Sequence, residues 1–405
     1  MELGILFLLL GGAILTGMMG ILINKRTQIP DSLLLIVLGF ILGPLFGILG
    51  SETVNEYLPA VSLIAMVVIL LDSGISFDIS KILGMLRRSV IFTLSVAALT
   101  TILIAGFLVY FFGWELGHAA LLGLVASGTT TITAMSLLKG LKVDDEVRRL
   151  ILLETIINDL TLILGAFIII DIITFSTLDI PVAVWSVISD IGLGIIAGVV
   201  FCYVWRNILK KVDITRELNY ISTLGICFLL YFTAETMGGN AIIAIFTFSL
   251  LFGNYKKFCR LVGAKTLKRE EHSLNEIIDS IESTQINFTF FMKSLFFVLL
   301  GATFNFSILN EISVFLILGT IAMILIARFI SSEILSYIDK TFEKYKFLIT
   351  VMVPRGYVAA VLAFIPTQYG IEIPMFTDIV VVLVVATSVI AMIGVAVYSR
   401  TGKKK

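Results

Sequence analysis

The stretch Glu154–Ile163, ETIINDLTLI, sets two carboxylates and an amide inside a run that is otherwise apolar enough for lipid. A charged side chain at the centre of a bilayer is disfavoured by roughly 2.5 to 3.5 kcal/mol on insertion scales. Polar residues in that setting are therefore paired, used, or both. The surrounding chain supports the lipid reading: 58% of its 405 residues are hydrophobic and only 14% are charged. Backbone groups in hydrocarbon must be satisfied within their own segment, so such a composition predicts an all-α polytopic membrane protein. Lys+Arg and Asp+Glu are equal at 29 each, and this balance gives no case for a nucleic-acid partner.

Working outward, about thirteen apolar segments of roughly 20 residues are found. They begin near 3, 29, 58, 88, 117, 147, 182, 217, 240, 287, 311, 346 and 375. The basic residues mark the sides. They fall in the odd-numbered loops and the tail YSRTGKKK, apart from Lys293, Arg328 and Arg355, which lie inside predicted spans. Because Lys and Arg near span ends mark cytoplasmic loops, the N-terminus is expected outside and the C-terminus inside. The expected location is the cell (plasma or inner) membrane. The loop 254–286, basic in its first half and acidic in its second, is expected to form a cytoplasmic surface helix linking two halves. No soluble domain is expected beyond the last span. An odd span count around a central basic loop permits two inverted six-helix repeats, the plan of many secondary transporters. The apolar N-terminal run lacks a basic region ahead of it, so it reads as a first span rather than a cleaved signal.

Enzyme chemistry finds little support. Cys202, Cys227 and Cys259 lie far apart with no CxxC spacing, and the two histidines, His118 and His272, fall at a helix end and in a loop. Neither a disulfide framework nor a zinc site is implied. An intramembrane protease would need paired catalytic aspartates, a serine with a histidine, or a metal motif, and no HExxH or GxGD is found. No cofactor is expected.

The charges at membrane depth are Glu154, Asp159, Arg328 and Arg355. Together they would oppose insertion by on the order of 10 kcal/mol, comparable with the stability of a whole domain. On a helix Glu154 and Asn158 are four apart, as are Thr155 and Asp159, so the pairs form adjacent stripes that point into protein. A purely structural charge cluster is one reading. The preceding span carries ASGTTTITAM, where Gly128 followed by Thr129, Thr130 and Thr131 favours an unwound helix with hydroxyls and carbonyls for a small hard cation. The same threonines could instead bond their own i−4 carbonyls, and spacing does not decide. In the second half, Pro354 and Gly356 flank Arg355 and predict a matching break. Asp72, near the cytoplasmic end of span three, fits an ion pathway and an interfacial position equally. Glu235 and Lys293 read as interfacial or snorkelling groups.

These residues carry a family resemblance. ETIINDLTLI with Asn158-Asp159, ARFISSE with Arg328, PRGYVAAVLAF with Arg355-Gly356, LLDSG and FFVLLGATF are similar to the monovalent cation:proton antiporters, in their NhaP-like branch. The likeness runs over essentially the whole chain. It implies a single exchanger unit over residues 1–405, working as a homodimer in the bilayer. The core domain would come from spans near 88–172 and 311–400, with two unwound helices crossing beside the ion site, and the dimerisation domain from the remaining spans. The resemblance implies exchange of sodium for protons, with lithium and potassium as the other candidate cations. One departure stands out: where the family commonly has Thr-Asp-Pro, this chain has Thr129-Thr130-Thr131, so a carboxylate is missing and cation preference is open.

On that resemblance, Asp159 is the expected exchanging carboxylate, with oxygen help for the cation from Thr129, Thr155 and Asp72. Glu154 is expected to pair with Arg328, Asn158 to hydrogen-bond that pair, and Arg355 to compensate carbonyls freed at the break. Electrogenic relatives carry a second aspartate where this chain has Asn158. An amide cannot titrate, so electroneutral one-for-one exchange is expected. A cation channel is a third reading, since hydroxyls and carbonyls also line pores.

Overall fold

A computed structural model describes residues 3–27, 29–76, 86–139, 141–175, 180–212, 216–255, 268–305 and 310–402. The chain begins with α1 (Leu3–Thr27), α2 (Asp31–Phe40, running on as a π-turn over Ile41–Leu45), α3 (Ser51–Ser76) and α4 (Leu86–Phe112). A broken span follows as α5 (Leu116–Val125) and α6 (Thr131–Leu138), and then α7 (Asp145–Phe175) carries the opening motif. Next come α8 (Ile180–Lys211), α9 (Arg216–Thr236), α10 (Ala241–Gly253), α11 (Lys268–Ala302) and α12 (Glu311–Ile338). After a 3-10 turn at Lys340–Tyr345, the second broken span is α13 (Lys346–Val351), α14 (Tyr357–Leu362) and α15 (Ile365–Gln368), and α16 (Phe376–Gly402) ends the chain.

The protein is all-helical, with no strand among the described residues. Nine of the described helices are long and apolar enough to cross a membrane. Shorter apolar helices occupy 31–45, 116–125, 241–253 and 357–368, within segments expected near 29, 117, 240 and 346. Two of these are short because the span they belong to is interrupted, which an apolar window about 20 residues wide does not resolve. The expected surface helix over 254–286 falls partly outside the described residues. From Lys268 onward it is not a separate element, because α11 runs unbroken to Ala302.

The chain divides into two compact units. Unit 1 holds 1–62, 85–174 and 293–405, and unit 2 holds 63–84 and 175–292. In unit 1, α2 and the end of α11 approach backbone to backbone. A Cβ on Gly39 would lie 1.9 Å from the Val298 carbonyl oxygen, and one on Gly301 would lie 2.1 Å from that of Ile36. Only glycine allows that contact. A buried apolar cluster including Phe92, Leu137, Ile151, Leu335, Ile349 and Val395 joins α4, α6, α7, α12, α13 and α16, anchoring a half of each broken span to intact helices.

In unit 2, the turn Met237–Asn240 joins α9 to α10, with Gly238 at φ +71. Asn240 caps α10 by accepting from the Ile242 and Ile243 amides at 3.1 Å each, so Gly238-Gly239-Asn240 is a tight turn rather than a kink.

Candidate functional site

The site is built in unit 1 where both broken spans meet α7. Ser127, Gly128 and the threonines after them favour helix weakly, and the helix stops at Val125 and restarts at Thr131. Thr130 is extended, at φ −112 and ψ 131. The second break runs from Met352 to Gly356, where Pro354 has no amide hydrogen to donate. The two breaks touch: the Thr130 amide donates to the Pro354 carbonyl at 3.1 Å. A Cβ on Gly356 would stand 2.5 Å from the Thr130 Cβ, so glycine is required for the approach.

Glu154, on α7, is fully buried and meets Arg328 of α12, itself 1% exposed. Arg328 donates Nη1 to Oε1 at 2.5 Å and Nη2 to Oε2 at 2.9 Å, and Nε to the Ile349 carbonyl at 2.9 Å. The guanidinium lies over the Phe92 ring at 5.5 Å. This two-toothed grip is the strong form of a charge-assisted bond. Thr129 Oγ1 also donates to Glu154 Oε1, at 3.3 Å.

Asn158 is one helical turn further on and fully buried. Its bonds differ from the expectation that it holds the Glu154–Arg328 pair. Oδ1 accepts from the Thr129 amide and Nδ2 donates to the Ser127 carbonyl, both at 3.3 Å. An amide has one acceptor and one donor end, and an unwound backbone offers the complementary pair. Asn158 therefore splints the first break rather than the ion pair.

Thr155 Oγ1 donates to the Leu152 carbonyl at 2.9 Å and lies 2.8 Å from Thr131 Oγ1. The Thr129 and Thr131 hydroxyls thus meet side chains of α7, Glu154 and Thr155 respectively. Asp159 follows Asn158 on α7, partly buried where Glu154, Thr155 and Asn158 are fully buried. It shares the α7 face of Thr155, one turn before it.

Arg355 is 2% exposed. Its Nη1 donates to the carbonyls of Ser127 at 3.4 Å and Gly128 at 2.9 Å, and its amide donates to Thr387 Oγ1 of α16 at 3.2 Å. It thus serves carbonyls freed at the first break while standing in the second.

Asp72 belongs to unit 2, where it accepts from Gln285 Nε2 at 2.6 Å. Lys293 is not a snorkelling residue: its Nζ meets Asp31 at 2.9 and 3.2 Å, and both residues are buried. The first turn of α2 brings Asp31 within its reach, which offers a closer partner than the interface does. Sequence reasoning missed Asp31, Ser127 and Thr387. Asp31 follows Pro30 at a span's start, where an acid is ordinarily a helix-end residue, and a backbone carbonyl leaves no signal in a residue pattern. Among the described residues no group of three or more His, Cys, Asp or Glu could hold a metal ion.

A family model described as sodium/hydrogen exchanger, transmembrane, matches residues 12–400. The low-affinity Na(+)/H(+) antiporter NhaS1 of Synechocystis sp. is 26% identical over 57% of this chain and 41% of its own length. The probable Na(+)/H(+) antiporter 2 of Methanocaldococcus jannaschii is 25% identical over 87% of this chain and 81% of its own. The K(+)/H(+) antiporter NhaP2 of Shewanella sp. strain ANA-3 is 24% identical over 86% and 58%. This chain thus spans only part of the length of two of these three relatives. Among solved structures, the sodium proton antiporter MjNhaP1 of Methanocaldococcus jannaschii aligns over 99% of this chain and 97% of its own, with TM-score 0.73 and 21% identity. That similarity establishes a shared fold.

Proposed function

The chain belongs to the sodium/hydrogen exchanger family, and from that premise we propose that it exchanges sodium for protons across a membrane, one for one. Asp159 is the carboxylate that binds either ion. The observation that carries the assignment is the division of labour along α7. Glu154 has both oxygens on Arg328, Asn158 has both amide ends on the first break, and Asp159 is the partly exposed acid one turn beyond Thr155. A group that takes a proton or a cation but not both makes the two compete for one seat.

Thr155 and Thr129 supply hydroxyl oxygens, the ligand type that hard monovalent cations prefer. Asn158 cannot titrate, so one carboxylate trades one proton for one cation and no net charge moves. The chain works as a homodimer of a multi-pass membrane protein, with its basic loops cytoplasmic and its N-terminus outside. The segments 88–172 and 311–400 form the moving core, exposing Asp159 to each side in turn. No cofactor takes part.

Potassium is the second reading. It is favoured by Thr130, which leaves the site one carboxylate short of the common family pattern, and by the relatives named K(+)/H(+) antiporters. The test is reconstitution into liposomes with an internal pH dye and the potential clamped at zero, comparing Na+, Li+ and K+. Cation-driven proton movement in the order Na+ above K+ supports the proposal. The reverse order assigns potassium, and current without proton movement assigns a channel.

A further inference from the structure

We propose that Arg355 holds a small inorganic anion of the chloride class, which supplies the counter-charge that position 130 lacks in this chain. The proposal rests on the exchange reading for its transport test, but its binding test stands alone.

Three observations meet at one place. First, Arg355 is 2% exposed, and its Nε and Nη2 have no hydrogen-bond partner among the described residues. Only Nη1 is engaged, and by two neutral carbonyls. Second, the carboxylate nearest in function is already committed, since both Glu154 oxygens receive Arg328 and one also receives Thr129. Third, the start of α6 has no side-chain cap: Thr130 is the N-cap residue and makes no capping bond. The Thr130–Pro354 bond and the Gly356–Thr130 contact place that helix start directly against the backbone of Arg355.

A buried guanidinium needs both donors satisfied and charge neutralised. Water does the first and not the second, and the carboxylate whose charge acts on Arg355, Glu154, is shared with Arg328. An anion does both, and the nearby start of α6, which has no side-chain cap, favours negative charge. Carbonyls reach only one edge of the guanidinium, and the free edge is the one a halide would take. In chains with the common Thr-Asp-Pro pattern, a carboxylate is built in at this position. Here threonine leaves the charge to be supplied from solution.

The bound anion also acts on transport. A negative charge in the core favours a cation on Asp159, because opposite charges attract more strongly in a low-dielectric interior than in water. Cation affinity is therefore expected to depend on the anion present.

The experiment compares purified protein in chloride, bromide and gluconate at constant ionic strength. Thermal unfolding in detergent is expected at higher temperature in chloride or bromide than in gluconate, with the difference reduced in Thr130→Asp. In proteoliposomes the apparent KM for the driving cation is expected to rise several-fold when gluconate replaces chloride on both sides, and to recover in bromide. Equal melting temperatures in the three salts overturn the proposal, whether or not Thr130→Asp folds. Exchange absent with every cation, alongside a chloride-dependent melting temperature, overturns the exchange reading and leaves the anion site standing. Exchange present but indifferent to the anion overturns the coupling to transport.

Discussion

Arg328 holds Glu154 by both carboxylate oxygens at 2.5 and 2.9 Å, in a place where neither side chain meets solvent. Desolvating two charges opposes folding, and the attraction repays it only with good geometry and further bonds. Both conditions hold here, through the Ile349 carbonyl and Thr129. The pair ties α7 to α12 and fixes the frame on which Asp159 is displayed.

That arrangement predicts a stability effect. Glu154→Gln leaves Arg328 charged and half-paired at depth, and unfolding in detergent is expected to be easier by about 3–5 kcal/mol. The double variant Glu154→Gln, Arg328→Met removes the orphaned charge and should recover much of the loss. Similar stability of the single variant and the parent would remove the pair from any structural role.

Asp159→Asn is expected to abolish cation-driven proton movement while leaving the melting temperature within a few degrees of the parent. Partial exposure of Asp159 makes its isosteric replacement mild for folding. Activity retained in the dye assay would move the exchanging group elsewhere.

Asn158→Asp adds a titratable group at the splint. The carboxylate can still accept from the Thr129 amide but cannot donate to the Ser127 carbonyl, so lower stability is expected. If the second acid titrates in the cycle, charge will move with each turnover, readable as a transient current on a supported membrane. A silent, fully active variant would sink the claim that the amide sets electroneutrality.

Lys293→Met leaves Asp31 buried without its cation, and the expected loss is about 3–5 kcal/mol, read as a fall in melting temperature. Because the pair lies beside the close approach of α2 and α11, proteolysis at the α1–α2 turn should also accelerate. An unchanged melting temperature would show that the pair contributes nothing net.

In the loop before α7, hydrogen bonding from Lys344, and then from Tyr345, holds the Asp144 carboxyl below its ordinary 3.8. A depressed acid lends stability above its unfolded value and loses it as pH falls through the folded one. Asp144→Asn should therefore lower the melting temperature slightly at neutral pH, and the gap to the parent should close below about pH 4. A gap that persists in strong acid would point to a cause other than charge.

The sequence by itself determined the class of fold, the place of the apolar helices and the second helix break, and offered the first break as one of two readings of Gly128 and the threonines after it. These follow from local physics: apolar length against bilayer thickness, and glycine, proline and threonine against helix propensity. It also singled out Glu154, Asn158, Asp159, Arg328 and Arg355 as residues too costly to sit idle in lipid. The Glu154–Arg328 pairing was expected from the family resemblance and is present, but what Asn158 and Lys293 touch was decided only by tertiary structure. Asn158 could have bonded the Glu154–Arg328 pair, but its amide found an unwound backbone across the helix interface. Lys293 looked free to snorkel until α2 brought Asp31 to it. Asp72, which fitted an ion pathway and an interfacial position equally, accepts a hydrogen bond from Gln285. Hydrogen-bond partners more than a hundred residues apart are chosen by helix packing, and carbonyl acceptors are common to every residue. A one-dimensional pattern marks which groups need a partner, and the fold selects which partner each receives.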